Sequence, residues 1–126
     1  MATLLRFEDI NVWKKSRILT NYIYNITEKF NDRGLKDQMR RASASIMANI
    51  AEGFERSGNR EFIQFLSISK GSTAELISHL YIALDRQYID SATFDRIYGF
   101  SKEIIKETGG FMTYLRKAKM KGIKYK

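Results

Sequence analysis

His79 is the one histidine of this chain, there is no cysteine, and Glu75 stands four residues before it. On a helix those two side chains share a face. A Cys-His pair is thereby excluded, and a Ser-His-Asp arrangement would have to be built on this single base. Carboxylate-bridged di-iron bundles take a Glu three residues before each of two histidines, so the ligands for such a centre are missing. The stretch "KGST", residues 70–73, shares letters with the end of a phosphate-binding loop. It lacks the upstream glycine and falls inside a helical period. His79 therefore reads as an ordinary hydrogen-bonded or partly exposed helix residue. No enzymatic activity, metal, cofactor or small-molecule substrate is expected.

A line of polar residues is more informative. Gln38, Arg41, Ser45, Asn49, Glu52 and Arg56 recur at helical spacing, about 100° from the apolar seam of the same segment. Ser72, Glu75 and His79 form a similar line beside Thr73, Leu76 and Leu80. Glu52 and Arg56 make an i,i+4 acid-base pair worth a few tenths of a kcal/mol when exposed (about 0.2–0.5). Such a line is either a solvated face or a polar network at a helix-helix or subunit seam. The company favours the seam: Ser43, Ala44, Ser45, Ala48, Ala51 and Gly53 are all small, and small residues let backbones approach closely. On that reading Gly53, disfavoured in a helix by about 1 kcal/mol relative to alanine, is a close-contact position.

The elements that must carry these residues follow from the apolar spacing. Val12, Ser16, Leu19, Ile23, Ile26 and Phe30 mark a first helix, with Trp13 and Tyr22 on its flank, and Asn31-Asp32-Arg33-Gly34 breaks it. Leu35, Met39, Ala42, Ile46, Ile50 and Gly53 mark a second. It ends at Ser57-Gly58-Asn59, where Gly58 suits the left-handed C-cap and Asn59 the next N-cap. Phe62, Leu66, Ser69, Thr73, Leu76, Leu80 and Ala83 mark the third. Asp90-Ser91 then caps a fourth, carrying Phe94, Ile97, Ser101, Ile104, Thr108, Phe111 and Leu115. Gly109-Gly110 either kinks this last helix or ends it early. Short connections favour antiparallel neighbours, so the pattern predicts an all-α, up-down-up-down four-helix bundle.

Composition agrees. A chain of 126 residues with 44% hydrophobic residues can bury a real core, and the absence of proline argues against linker-rich or multi-turn β architectures. The N-terminal "MATLLRFEDI" lacks a signal-peptide pattern, and no apolar run reaches the roughly 18 residues of a membrane span. A soluble, cytoplasmic domain over residues 1–115 is the expectation. Net charge is +8, yet six of the 22 Lys/Arg and none of the 14 Asp/Glu fall in residues 116–126, "RKAKMKGIKYK". Such a block is a solvated tail or an arm for a polyanion. Trp13 lies beside Lys14, Lys15 and Arg17, and Tyr114 and Tyr125 lie near the tail lysines. Stacking aromatics with basic neighbours suit nucleic acid, although helical aromatics are commonly core or interface anchors. The nucleic-acid candidates are Lys14, Lys15, Arg17, Arg40, Arg116, Lys117, Lys119, Lys121, Lys124 and Lys126.

"GLKDQMRRASASIMANIAEGFERSGNREFIQFLSISKGSTAELISHL", residues 34–80, resembles the 23S rRNA intervening-sequence proteins. "FEDINVWKKS", residues 7–16, is similar to that family's first helix, and "ALDRQYI", residues 83–89, to the end of its third. The resemblance spans roughly 7–115 and rests on the Asn-Ile-Ala-Glu-Gly-Phe and Gly-Ser-x-x-Glu-Leu runs occurring in order. Met47 stands where the family commonly has a proline, which puts a kink of the second helix in question. The resemblance implies a bundle assembling into a ring, typically five-fold, without enzymatic activity. It also implies kinship with the accessory variability proteins of diversity-generating retroelements, whose basic ring works with a reverse transcriptase and RNA. By position, Arg41, Asn49, Glu52, Gly53, Arg56, Gly71, Ser72 and Glu75 match the family signature as structural or assembly residues. The expected function is a non-catalytic, homo-oligomeric ring, plausibly pentameric, that binds RNA or DNA and no membrane. The rival is a protein-interaction scaffold or accessory subunit.

Overall fold

The computed structural model describes residues 4–120. A 3-10 turn, Phe7–Asp9, leads into four helices: α1 (Asn11–Thr27), α2 (Arg33–Phe54), α3 (Asn59–Asp85) and α4 (Ser91–Met120). They run up-down-up-down, α2 packing on α3, α3 on α4, and α1 on α2 with a lighter contact to α4. The fold is an all-α four-helix bundle, and none of its helices is long and apolar enough to cross a membrane.

Local chemistry sets the boundaries, and four of them depart from the spacing. α1 stops at Thr27, not Phe30; Phe30 is buried beyond the helix end, its ring 5.3 Å from that of Tyr88. α2 starts at Arg33, inside the expected break, because Asp32 Oδ1 accepts from Leu35 N at 3.0 Å and caps the first turn. Gly58 is extended (φ −165°) and is the N-cap of α3, while Asn59 is its first residue and is buried. Asn59 faces inward because its Nδ2 donates to Leu115 O, 3.2 Å away on α4, so the capping role falls to the glycine. α4 runs unbroken through Gly109-Gly110 to Met120, extending into the basic tail that begins at 116, with Phe111, Met112, Leu115 and Ala118 buried along it.

α3 ends where Gln87 takes a left-handed conformation (φ 63°). Gln87 N donates to Leu84 O at 2.9 Å and Tyr88 N to Ala83 O at 2.8 Å, a Schellman closure built without glycine. Asp90 then caps α4, its Oδ1 accepting from Thr93 N at 2.7 Å.

The core is a column of fully buried side chains that includes Leu19, Ile46, Phe62, Leu76, Ile97 and Ile104. Hydroxyls interrupting the apolar period are kept inside by bonding back to their own helix: Ser16 to Val12 O, Thr73 to Ser69 O, Thr108 to Ile104 O, all at 2.7–2.9 Å. Two hydroxyls tie neighbours together, Thr20 donating to Ser43 O and Ser69 to Ile46 O. α2 and α3 approach each other closely at Gly53. A Cβ on Gly53 would lie 2.7 Å from Phe65 Cβ and 2.9 Å from Phe62 Cδ1.

Gly53→Ala is therefore expected to destabilise the protein by about 1–3 kcal/mol through overpacking, despite alanine's helical advantage. Gly99→Ala, where a Cβ meets nothing within 4 Å, should instead gain about 0.5–1 kcal/mol. Urea denaturation of the two variants checks both signs.

Candidate functional site

The polar line divides into two parts with different surroundings. In the middle of α2, Asn49 Nδ2 donates to Ser45 O at 2.8 Å and to Ser45 Oγ at 3.0 Å. Ser45 Oγ in turn shares a 2.9 Å hydrogen bond with Ser72 Oγ on α3. This half-buried knot of neutral groups joins the two helices just beyond the Ser69–Ile46 tie. The charged members lie outside it. Arg56 Nη2 donates to Glu52 Oε2 at 2.7 Å, both side chains are exposed, and the guanidinium stacks 4.9 Å from the Phe65 ring centre. Gly53 is buried at the helix crossing, Gly71 is exposed with open space around it, and Arg41 and Glu75 are exposed. Neither charge pair crosses between helices: Glu75 and His79 both lie on α3, and Glu52 near the end of α2 pairs with Arg56 in the connection just after it.

His79 Nε2 lies 3.6 Å from Glu75 Oε2, too long for a hydrogen bond, and neither ring nitrogen has a hydrogen-bond partner. Ser72 is committed to Ser45, so no hydroxyl is poised against that base. Among the described residues no group of three His, Cys, Asp or Glu could hold a metal ion. The arrangement does helix-joining and surface work.

The basic candidates also separate by what holds them. Arg40 fastens α2 to the end of α1: Nε donates to Thr27 Oγ1 at 2.9 Å, and Nη2 to Tyr24 O at 3.0 Å and Glu28 Oε1 at 3.1 Å. Its guanidinium lies 4.5 Å from the Tyr24 ring centre. Lys15 fastens α1 to α4, 2.9 Å from Glu107 and 3.5 Å from Glu103, and Asn11 donates to the other oxygen of Glu107 at 3.1 Å. Lys14 and Arg17 are exposed, Arg17 at 6.0 Å from the Trp13 ring, which packs edge-on against Phe7. Arg116 and Lys117 are exposed side by side on the last turns of α4. The Lys119 side chain and Lys121, Lys124 and Lys126 lie outside the described residues.

Ser45, a member of the polar line, is the hub of the neutral knot. One participant has a role its spacing did not indicate. Asn59, by reaching Leu115, sets the start of α3 with exposed Arg60 beside the end of α4. That bond spans 56 residues, and no local pattern encodes it.

The hydrogen bond to Glu107 holds the Lys15 ammonium above its ordinary 10.5, aided by the charges of Glu107 and Glu103 and opposed by burial. A pKa raised on folding stabilises fully below the unfolded value and is lost as pH rises through the folded one. Lys15→Met should thus cost roughly 0.5–1 kcal/mol near neutrality, the range for a partly screened pair. That deficit should shrink in denaturation curves recorded progressively above pH 10.5.

Comparison with known proteins places this geometry. Among solved structures the chain is similar to a protein with unknown function from the S23 ribosomal protein family of Bacteroides thetaiotaomicron VPI-5482. The two share 25% identity at a TM-score of 0.76, over 80% of this chain and 97% of that one. A search of curated proteins finds no match. The family described as 23S rRNA-intervening sequence protein matches residues 8–110, most of the bundle. The chain belongs to the 23S rRNA-intervening sequence protein family.

Proposed function

We propose that this protein is a non-catalytic cytoplasmic bundle that assembles into a homo-oligomeric ring, plausibly of five, and binds structured RNA. The observation that carries this reading is the end of α4. The helix continues past its tie to Asn59 and presents Arg116 and Lys117 to solvent, at the head of a segment with six Lys/Arg and no acid. Arg56, Arg60, Lys14 and Arg17 are exposed toward the same end, where α1 and α3 begin and α2 stops. Phosphates are the natural ligand of such a surface, which neutralises charge without reading bases. A ring would multiply one weak basic end by its number of subunits, raising avidity with no new contact.

Exposed Ile68 (50%) and Ile82 (43%) on α3, with open Gly71 between them in sequence, support the second reading, a scaffold for a partner protein. A partner held in fixed stoichiometry, unaffected by nuclease and by deletion of 116–126, would decide for it.

The RNA reading is tested by binding a structured RNA across a salt series, with native mass measurement on the same sample. Affinity should fall steeply with salt. The Arg116→Ala, Lys117→Ala double variant should lower the logarithmic slope by roughly two per chain engaged, at about 0.9 per phosphate contact. Affinity independent of salt, or no binding at low salt, overturns the reading. A monomeric mass removes the ring.

A further inference from the structure

α1 carries Lys14, Lys15 and Arg17 and not one Asp or Glu. Lys15 turns to Glu103 and Glu107 on α4, which leaves Lys14 and Arg17 exposed on the far side of the helix with Trp13. Around these three lies a cleft of about 610 Å³, within the roughly 300–1,000 Å³ of small-molecule sites. α1 supplies most of its wall, and Arg6 and Glu8 close it from the N-terminal segment. Arg6 is neutralised by Asp9 at 3.6 Å, and Glu8 is the one carboxylate in the lining. Against it stand both Lys14 and Arg17, so the cleft keeps a net positive charge.

Each group left uncommitted there has a use on a nucleotide. Trp13 is half-buried, and the Phe7 ring, edge-on at 5.2 Å, fixes the plane of the indole. The Arg17 guanidinium lies 6.0 Å from the indole centre, at the outer reach of a cation–π contact, so a ring that displaces it gives up little. Among the described residues neither Arg17 nor Lys14 has a carboxylate partner. Ile18, 61% exposed, adds an apolar shoulder to the same cleft. Asn21 spends its amide on Arg17 O at 3.1 Å, which leaves its Oδ1 to accept from a base edge. A flat ring with a polar edge and an attached phosphate meets every one of these groups. A base inside a duplex cannot, because its faces are already stacked.

We propose that the Trp13 cleft takes an unpaired base of a bound RNA, stacked on the indole against Ile18, with the flanking phosphates on Lys14 and Arg17. The inference rests on the RNA reading and names the part of the RNA that this face holds, a single-stranded segment. Stacking accepts any base, so the cleft distinguishes unpaired from paired RNA and not one sequence from another.

Trp13 is the one tryptophan of the chain, so its fluorescence reports on this site alone. The test titrates the full chain with octaadenylate and with a blunt RNA duplex, following tryptophan fluorescence and the anisotropy of labelled RNA. Octaadenylate should quench Trp13 saturably, whereas the duplex should bind without quenching. Trp13→Ala should weaken octaadenylate by roughly 5- to 150-fold, the range for losing one stacked base, and leave the duplex little changed. Ile18→Glu alters only an exposed side chain and should weaken octaadenylate about tenfold, by setting a carboxylate beside the phosphates. Lys14→Gln together with Arg17→Gln should lower the logarithmic salt slope for octaadenylate by about 1.4, at roughly 0.7 per phosphate. RNA binding that leaves Trp13 unquenched overturns this inference while the RNA reading stands. Equal quenching by the duplex overturns the unpaired-base assignment, as does octaadenylate quenching that Ile18→Glu leaves intact. Binding of neither RNA at low salt overturns both readings.

Discussion

The approach of α2 to α3 at Gly53 governs much of what surrounds it. With no side chain there, the faces of Phe62 and Phe65 come within van der Waals reach of the α2 backbone. Once the helices are this close, shorter groups farther along can span the gap. Ser69 reaches the Ile46 carbonyl, and one turn on, Ser45 meets Ser72. Longer side chains at these positions would hold the helices apart and leave backbone acceptors to water. The crossing thus fixes a register in which small polar residues become interhelical contacts, and α3 is then positioned to receive α4 on its other side.

The same economy explains how a core can contain Ser16, Ser69, Thr73 and Thr108. Each hydroxyl donates to a carbonyl that already serves its own helix or the next, so no buried donor is left open at these four positions. Ser101 is the contrast, fully buried with an oxygen that has no hydrogen-bond partner. α1 is attached by other means. Its outer connections are charged or partly exposed: Arg40 to its C-terminal turn, Lys15 and Asn11 to α4, and Tyr22 to Arg96 at 2.6 Å. Such contacts hold orientation more than they add stability, because water competes for each group.

Elements whose cause is local were legible in the chain. The four apolar periods become four helices, Asp90 caps α4, and Gly53 sits at a close contact. What escaped depends on partners far away in sequence. Asn59 has the chemistry of an N-cap but is drawn inward by Leu115, so Gly58 takes the cap. Gly109-Gly110 has the composition of a break, yet the buried face on either side carries the helix through. Lys15 and Arg40 have the composition of free phosphate ligands, but Glu107 and Glu28 already hold them. The polar line was visible as a line; its division into a neutral knot and a solvent-facing charged part follows from Ser72 of α3 lying against Ser45 while Glu52 and Arg56 stay exposed.

The rung between Asn11 on α1 and Glu107 on α4 joins groups 96 residues apart. During synthesis α1 leaves the ribosome first and its α4 partner last. At about 5–20 residues per second the wait is on the order of 5–20 seconds. For that time α1 has only α2 as a helical neighbour. The order of the helices along the chain thus places the docking of α4 on α1 late in synthesis, and it leaves the newborn chain briefly open along the α1–α4 seam.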